Sequence, residues 1–329
     1  MSRPLLKVTD LKIHFDTPNT SRLFASKQTL KAVDGVSFEL NAGETLGIVG
    51  ESGCGKSTLA RAILQLVKPT SGDVQVNGHS LVNLSRQAMR QQRRQMQVIF
   101  QDPLAALNPR MTLLQIIGEP LTVYEQQLSA TQRRERVHRM MERVGLAPQL
   151  INRYPHEFSG GQCQRIAIAR ALILEPALII CDEPVSALDV SIRAQIINLL
   201  MDLQRDMGLS LIFIAHDLHI VRHISHRVMV MYLGKAVEMG ESEALYHHPM
   251  HPYTRALISA VPVLDPAASR TKQANLLQGD LPSPLNPPSG CAFRTRCPLV
   301  QPHCAEQTPA LRPRENAANT QRLVACHEV

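Results

Sequence analysis

The sequence predicts an α/β fold built on a parallel β-sheet, followed by a C-terminal extension of different composition. Short apolar runs alternate with segments of helical periodicity, which is the pattern of βαβ units in a parallel sheet. One such unit runs from residues 178–181 through a helical stretch at 190–207 to residues 211–215. Ten of the chain's 22 prolines lie within residues 262–313, so no packed α/β core is expected beyond about Pro249.

The first part of this core is predicted from three apolar segments. Residues 5–15 alternate apolar side chains with Lys and Asp, which predicts a half-exposed edge strand, and residues 32–40 predict a strand that ends in a turn. Residues 45–49 predict a short strand. Residues 57–67 predict a helix, because apolar side chains recur at helical spacing at Leu59, Ala62, Ile63 and Leu66.

The middle of the chain, from about residue 85 to 143, is rich in Gln and Arg and has helical periodicity. Helices are predicted at residues 87–95 and 131–144, with interruptions at Pro103, Pro109 and Pro120. This segment predicts a helical subdomain at about residues 101–165.

Length and composition limit the class of protein. A chain of 329 residues suits one large domain and a smaller part, which we place at residues 1–248 and 249–329. No apolar run approaches the roughly 18 residues that cross a bilayer, so a soluble, cytoplasmic chain is expected. The formal net charge of +7 suits either a solvated surface or an anionic membrane face, whereas an aromatic content of only 4% argues against nucleic-acid binding.

The loop between the predicted strand 45–49 and the following helix has the sequence of a phosphate-binding loop. Its glycines allow successive backbone N–H groups to converge on phosphate oxygens. Lys56 supplies a cation for the β- and γ-phosphates of ATP, and the Ser57 hydroxyl is a ligand for Mg²⁺. The predicted ATP contacts come from Gly50, Glu51, Ser52, Gly53, Cys54, Gly55, Lys56, Ser57 and Thr58.

Polar residues after the predicted strands complete a site for ATP hydrolysis. Asp182 is predicted to hold Mg²⁺, and Glu183 beside it is predicted to polarise the attacking water. His216 follows the next strand, at the carboxyl edge of the sheet where ligands bind in open α/β folds. Gln101 follows another apolar segment, and its amide is predicted to reach the metal or the water.

A second anion-binding turn precedes residues 164–174, which have helical periodicity. A serine followed by two glycines presents a hydroxyl and bare N–H groups at the start of a helix. Because the chain already has one phosphate loop, this turn predicts that ATP is held between two subunits. The turn consists of Ser159, Gly160, Gly161 and Gln162.

In their order and spacing, these motifs resemble those of the nucleotide-binding subunits of ABC transporters over about residues 5–245. The matching segments are the Walker A loop at 50–57, Gln101 of the Q-loop, the signature loop at 159–162, the Walker B strand at 177–183, the D-loop at 186–189 and the switch His216. The resemblance implies a parallel-sheet P-loop core with an antiparallel edge sheet and a helical subdomain.

The same resemblance implies roles for individual residues. Phe15 would stack on adenine, and Ser57, Gln101 and Asp182 would surround Mg²⁺. Catalysis would depend on Glu183, His216 and Lys56. The signature loop of this chain, Ser159 to Gln162, would contact in trans the ATP held by a partner subunit.

Three further segments resemble the oligopeptide and dipeptide importer ATPases of bacteria, and among them the F-type subunits. These segments are residues 156–165, 251–254 and 281–291, and Phe158 departs from the leucine usual in the general ABC signature. The resemblance implies a heterodimer with a homologous second ATPase, two transmembrane permease subunits and an external peptide-binding protein. It places the chain peripherally, on the cytoplasmic face of the inner membrane.

Other functions are weighed against peptide import. An ATPase for another imported substrate, such as nickel or a murein peptide, has the same motifs, because substrate selection lies in other subunits. A soluble ABC protein acting on nucleic acid usually carries two cassettes or a long coiled coil, and this sequence has neither. An exporter ATPase is disfavoured by the cysteine-containing tail.

Four of the seven cysteines lie in the last 39 residues. Four thiolates suit either a tetrahedral Zn²⁺ or an iron–sulfur cluster, and the spacing does not decide, since His303 and His327 lie nearby. The resemblance to peptide-importer ATPases favours a [4Fe–4S] cluster. The predicted ligands are Cys291, Cys297, Cys304 and Cys326, whereas Cys54, Cys163 and Cys181 are interpreted as packing residues.

Overall fold

The computed structural model describes residues 3–18, 27–260, 279–315 and 321–329. The strands are β1 (Leu6–Pro18), β2 (Lys27–Leu40), β3 (Thr45–Val49), β4 (Ser71–Val76), β5 (His79–Ser80), β6 (Met96–Ile99), β7 (Leu178–Asp182), β8 (Ser210–Ile214), β9 (Arg227–Tyr232), β10 (Lys235–Glu241), β11 (Arg312–Glu315) and β12 (Gln321–Val324). The α-helices are α1 (Lys56–Ile63), α2 (Arg86–Arg93), α3 (Pro103–Ala106), α4 (Leu113–Tyr124), α5 (Ala130–Arg143), α6 (Gly160–Leu172), α7 (Val190–Met207), α8 (Leu218–Ile224), α9 (Ser242–His247) and α10 (Pro252–Ser259).

These elements form two units. One consists of Met1–Leu40, Leu46–Val82 and Ala215–Val329, and the other of Asn41–Thr45 and Asn83–Ile214. Within the described ranges, no helix is both long enough and apolar enough to span a bilayer.

The first unit contains an antiparallel sheet with the strand order β2-β1-β4-β5. The prediction of an edge strand at residues 5–15 was wrong, because β1 pairs with β2 on one side and with β4 on the other. Asp10 has a φ of 43°, and the pairing with β4 shifts between Thr9 and Lys12. This irregularity shifts the alternation of buried and exposed side chains by one residue. It explains why the buried apolar residues of β1 are even-numbered before Asp10 and odd-numbered after it, at Leu6, Val8, Leu11 and Ile13.

The same unit contains the strands β11-β12-β10-β9-β3 in this order, with β3 parallel to β9 and the other pairs antiparallel. The expectation that no packed core continues beyond Pro249 was wrong, because β12 joins the sheet at β10. A fully buried ion pair connects these strands, since Arg322 NH1 lies 3.3 Å from a carboxylate oxygen of Glu238. The backbone N–H groups of Met250 and His251 also donate to that carboxylate. A strand of four residues is too short for its periodicity to be read from the sequence.

The second unit contains β8, β7 and β6 as parallel neighbours, and every residue of β7 and β8 is buried. The βαβ unit predicted from the sequence is confirmed within one residue at each boundary, with α7 between β7 and β8. Helix α7 buries one apolar face, formed by Ile196, Ile197, Leu200 and Leu203. Parallel pairing brings the carboxyl ends of β6, β7 and β8 to one edge.

Helix α4 continues through Pro120, so the predicted interruption at this residue was wrong. Proline removes one backbone hydrogen bond from a helix, at a cost of about 3 kcal/mol. Burial of Ile116, Ile117 and Leu121 on the same helix offsets this cost. At the end of α4, the buried carboxylate of Glu125 pairs with the guanidinium groups of Arg94 and Arg136.

Candidate active site

The phosphate-binding loop lies in the first unit, between β3 and α1. Gly55 is the N-cap of α1 and has a φ of 106°, in the left-handed region that favours glycine. A Cβ atom at Gly55 would lie 2.1 Å from the carbonyl oxygen of Ala32 on β2. Any other residue would therefore push the loop away from β2 and turn the first N–H groups of α1 away from the position where a helix binds an anion.

Lys56 is the first residue of α1, and its ammonium group points back into the loop. Its Nζ donates to the carbonyl oxygens of Gly50 at 2.8 Å and of Glu51 at 3.0 Å. The residue is only 5% exposed, while Ser57 and Thr58 are half-buried. The loop thus holds a buried cation beside the N-terminus of a helix, an arrangement that suits the phosphates of a nucleotide.

Two residues that the sequence analysis missed contact this loop through Glu51. The Tyr253 hydroxyl accepts a hydrogen bond from the Glu51 backbone N–H at 2.9 Å. Arg296 donates to both carboxylate oxygens of Glu51, at 2.7 and 3.0 Å, and this pairing raises the pKa of Arg296 above its ordinary value. No local signal identifies these contacts, because Tyr253 and Arg296 lie 202 and 245 positions from Glu51.

The carboxylate pair lies in the second unit, at the end of β7. Asp182 is 7% exposed, and Glu183 has a φ of 50°, which is uncommon for a residue with a side chain. The Glu183 backbone is held in this conformation by its N–H bond to the Ile214 carbonyl and by the Ser186 hydroxyl, which donates to the Glu183 carbonyl. Gln101 Nε2 lies 3.3 Å from Glu183 Oε2. The structure therefore brings together two of the predicted catalytic and metal-binding residues.

His216 and Phe15 both belong to the first unit and are exposed. His216 follows β8 by two residues, immediately before Asp217, whose carboxylate caps α8 by accepting from the His219 N–H at 2.9 Å. Phe15 lies on β1 and is 37% exposed, so its ring is open to a planar group.

The signature turn lies in the second unit, at the N-terminus of α6. Ser159 is the N-cap, and its hydroxyl accepts a hydrogen bond from the Gln162 N–H at 3.4 Å, while Gln162 Oε1 accepts from the Ser159 N–H at 3.0 Å. A Cβ atom at Gly161 would lie 2.4 Å from Cγ2 of Ile192 on α7. Gly161 is therefore required by the packing of these helices, in addition to any role in binding phosphate.

The four C-terminal cysteines gather in the first unit. Cys304 is buried, and Cys291, Cys297 and Cys326 are half-buried. Burial, together with the charges of the neighbouring thiols, raises the pKa of Cys291 and Cys326 and raises that of Cys297 to about 11. The Cys291 backbone N–H donates to the Cys304 carbonyl at 2.7 Å, and the Glu328 N–H donates to Cys326 Sγ at 3.4 Å. In contrast, Cys54, Cys163 and Cys181 are buried separately in the loop, in α6 and in β7.

Comparison with known proteins identifies the family. The family model described as ABC transporter matches residues 33–186, and the model described as oligopeptide/dipeptide transporter, C-terminal region, matches residues 237–304. The oligopeptide transport ATP-binding protein OppF of Salmonella typhimurium is 63% identical over 308 residues, which are 93% of this chain and 92% of that protein. This chain belongs to the oligopeptide transport ATP-binding proteins of the ABC transporter family. It is accordingly an ATPase, and the family predicted from its sequence is confirmed.

Other relatives in this family match nearly the whole chain. OppF of Haemophilus influenzae is 59% identical over 99% of this chain and 97% of its own length. The oligopeptide transport ATP-binding protein AppF of Bacillus subtilis is 53% identical over 98% of this chain and 97% of its own length.

Solved structures of ABC ATPases have the same fold. The cbiO1 subunit of an ABC transporter complex from Clostridium perfringens superposes with a TM-score of 0.64 at 28% identity, covering 75% of this chain and 92% of that one. A dimeric bacterial ABC transporter cassette superposes with a TM-score of 0.63 at 28% identity, covering 72% and 98%. The predicted α/β fold of the ABC type is thereby confirmed.

Proposed function

We propose that this ATPase powers the uptake of oligopeptides or dipeptides across the cytoplasmic membrane. The observation that carries the proposal is the 63% identity to an oligopeptide transport ATP-binding protein over 93% of the chain. The match extends into the C-terminal region, at residues 237–304. Because most of this region lies beyond the nucleotide-binding motifs, its match supports a class of transported substrate and not only ATP hydrolysis.

In the proposed reaction, the phosphate loop holds ATP and a carboxylate activates water. Lys56 and the N–H groups at the start of α1 bind the β- and γ-phosphates. Glu183, oriented by Gln101, polarises a water whose oxygen bonds to the γ-phosphorus while the bond to the β–γ bridging oxygen breaks, which yields ADP and phosphate. Ser57, Gln101 and Asp182 would hold Mg²⁺, which would neutralise negative charge on the phosphates.

The proposed complex contains a homologous second ATPase, two transmembrane permease subunits and an external peptide-binding protein. ATP lies between the two ATPases, so Ser159 to Gln162 of this chain contact the partner's nucleotide. Within its own site, Phe15 stacks on adenine and His216 contacts the γ-phosphate. In this arrangement the chain is peripheral, on the cytoplasmic face of the membrane, and it has no need of a spanning helix.

We assign residues 1–248 to the ATPase domain and residues 249–329 to an extension that holds a [4Fe–4S] cluster. The gathering of four thiols, with backbone N–H groups beside them, supports this assignment. The resemblance to the peptide-importer ATPases favours the cluster over a single Zn²⁺ ion, which four thiolates would also suit.

We expect the anaerobically purified protein to be brown and to contain about four irons per chain, as a [4Fe–4S] cluster requires. Replacing Cys291 and Cys297 together by alanine should remove the colour and most of the iron. The matched control is Cys163→Ala, which removes a buried thiol in α6 and should leave the iron content unchanged. The measurements are elemental analysis for iron and zinc and the visible absorption spectrum. One zinc per chain without colour would contradict the cluster.

Reconstitution into proteoliposomes with its partner ATPase, its permease subunits and the peptide-binding protein tests the transport function. We expect ATP-dependent uptake of a labelled tripeptide, and we expect no uptake in a complex carrying Lys56→Ala, because ATP can no longer be bound tightly. ATP hydrolysis that drives uptake of nickel ions but of no peptide would overturn the assigned substrate class and leave the ATPase assignment intact.

A further inference from the structure

An arginine from the cysteine-rich segment contacts the phosphate loop directly. Arg296, which immediately precedes Cys297, places NH1 and NH2 at 2.7 and 3.0 Å from the two carboxylate oxygens of Glu51. The Arg296 side chain is 7% exposed and that of Glu51 is 27% exposed. Two parallel hydrogen bonds from a planar guanidinium fix the orientation of a carboxylate as well as its position.

Glu51 is held at its backbone as well as at its side chain. Its N–H donates to the Tyr253 hydroxyl at 2.9 Å, and its carbonyl oxygen accepts from Lys56 Nζ at 3.0 Å and from the Cys54 N–H at 3.3 Å. A rotation of Glu51 would therefore move the carbonyl that holds the Lys56 ammonium group. The Arg296 pair thus restrains the residue on which the position of this ammonium group depends.

The turn that carries Arg296 is anchored to the body of the first unit. Phe293 is 1% exposed, and its ring centroid lies 5.3 Å from that of Tyr232 and 5.4 Å from that of Tyr253. The Arg296 N–H donates to the Phe293 carbonyl at 3.0 Å. Arg296 therefore lies in a short turn between two proposed cluster ligands, Cys291 and Cys297, and a change in the positions of these cysteines would move it.

This ion pair differs from the exposed pairs on the rest of the surface. Exposed pairs typically contribute little to stability, because water and side-chain freedom oppose them. Here the arginine is largely buried, the contact is bidentate, and it joins segments 245 positions apart in the chain. A contact between such distant segments adds little to the stability of the turn itself, but it restrains the loop that binds nucleotide.

We propose that Arg296 is a positioning residue of the ATP site, which acts through Glu51 and links ATP binding to the occupancy of the four-cysteine site. An occupied cysteine site fixes the turn, the turn fixes Glu51, and Glu51 fixes the phosphate loop for ATP. The linkage to occupancy rests on the proposed metal cluster, whereas the effect of Arg296 on ATP binding does not. Because such coupling is reciprocal, bound ATP should also make the metal harder to remove.

We expect Arg296→Ala to weaken binding of a fluorescent ATP analogue roughly tenfold, within the usual range of coupling between sites. The KM for ATP should rise by a similar factor while kcat changes by less than about twofold, because Arg296 does not touch the reacting atoms. Arg296→Lys should restore part of the affinity, since lysine keeps the charge but loses the second hydrogen bond. The matched control is Arg294→Ala, from the same turn, whose guanidinium bonds the carbonyl and hydroxyl oxygens of Ser289 and not Glu51.

The pairing with Glu51 is tested separately. Glu51→Gln should weaken ATP binding as Arg296→Ala does, and combining the two should add little, because both remove the same contact. This variant also keeps the proposal testable if Arg296→Ala does not fold, which thermal unfolding reveals. Parent-like affinity in folded Arg296→Ala and in Glu51→Gln would overturn the positioning role.

The linkage to the cysteine site is tested by removing the metal from the purified complex with an iron chelator. Removal of the metal should weaken binding of the ATP analogue roughly tenfold in the parent protein and should have little further effect in Arg296→Ala. Equal loss of affinity in both proteins, or no loss in the parent, would overturn the linkage. A purified protein without iron would overturn the proposed cluster, and with it the linkage, while the Arg296 variants would still decide the positioning role.

Discussion

Replacing Glu183 by glutamine is expected to leave ATP bound and to slow its hydrolysis at least roughly a hundredfold, the lower range for loss of a general base. Glutamine has nearly the shape of glutamate, so the backbone geometry is kept. The contact with Gln101 Nε2 at 3.3 Å is no longer a charge-assisted hydrogen bond, because the glutamine amide carries no charge. The amide no longer polarises the attacking water. The variant complex should therefore accumulate in the ATP-bound, closed dimer.

Steady-state release of phosphate measures the rate of ATP hydrolysis. Gel filtration in the presence of ATP measures the fraction of protein in the dimer. Glu142→Gln, an exposed glutamate of α5, is the matched control and should hydrolyse ATP at the parent rate. A Glu183→Gln variant as fast as the parent would show that another group activates the water, and His216 would then be the first to test.

Replacing Lys56 by alanine is expected to weaken the binding of ATP itself, by roughly a hundredfold. The ammonium group is buried among loop carbonyls, and charge-assisted hydrogen bonds of the kind it would make to phosphate contribute about 1.5–3 kcal/mol each. Both the β- and the γ-phosphate lose this partner in the variant. Hydrolysis should fail because the site is empty, in contrast to Glu183→Gln, in which the site is filled and inactive.

Equilibrium binding of a fluorescent ATP analogue checks this result. Lys68→Ala, an exposed lysine just beyond α1, is the control and should bind as the parent does. Thermal unfolding must accompany the measurement, because Lys56 also bonds Gly50 and Glu51 within the loop. A folded Lys56→Ala protein with the parent's affinity for ATP would contradict the assignment of the phosphate loop.

The elements around the nucleotide motifs were predictable because their signals are local. The strand at 45–49, the following loop and α1 are contiguous, and the predicted helix began only one residue late. Helix α7 was placed at its observed bounds, since eighteen residues give several turns of periodicity. Asp182 and Glu183 could be named because a short buried strand ends beside them.

Predictions failed where neighbouring elements override a local signal. The polar residues of β1 indicated an edge strand, but pairing with both β2 and β4 places it inside the sheet. Pro120 indicated a helix end, but burial of its neighbours keeps α4 continuous. The proline-rich tail indicated an unpacked segment, yet Phe293 is buried and β12 extends the sheet. For β1 and for the tail, the decisive partner is a strand distant in sequence.

The sequence by itself determined the α/β class, the phosphate and signature loops, the carboxylate pair and the four cysteines as candidate ligands. These features depend on residue type and spacing over a few positions, and the physics of turns, helix ends and phosphate binding acts over that distance. Only the tertiary structure decided that Tyr253 and Arg296 hold Glu51, across 202 and 245 positions. The sequence contains 35 Lys and Arg residues, and it does not indicate which carboxylate any one of them will pair with. The fold decides this by placing Arg296 and Glu51 together in a largely buried site.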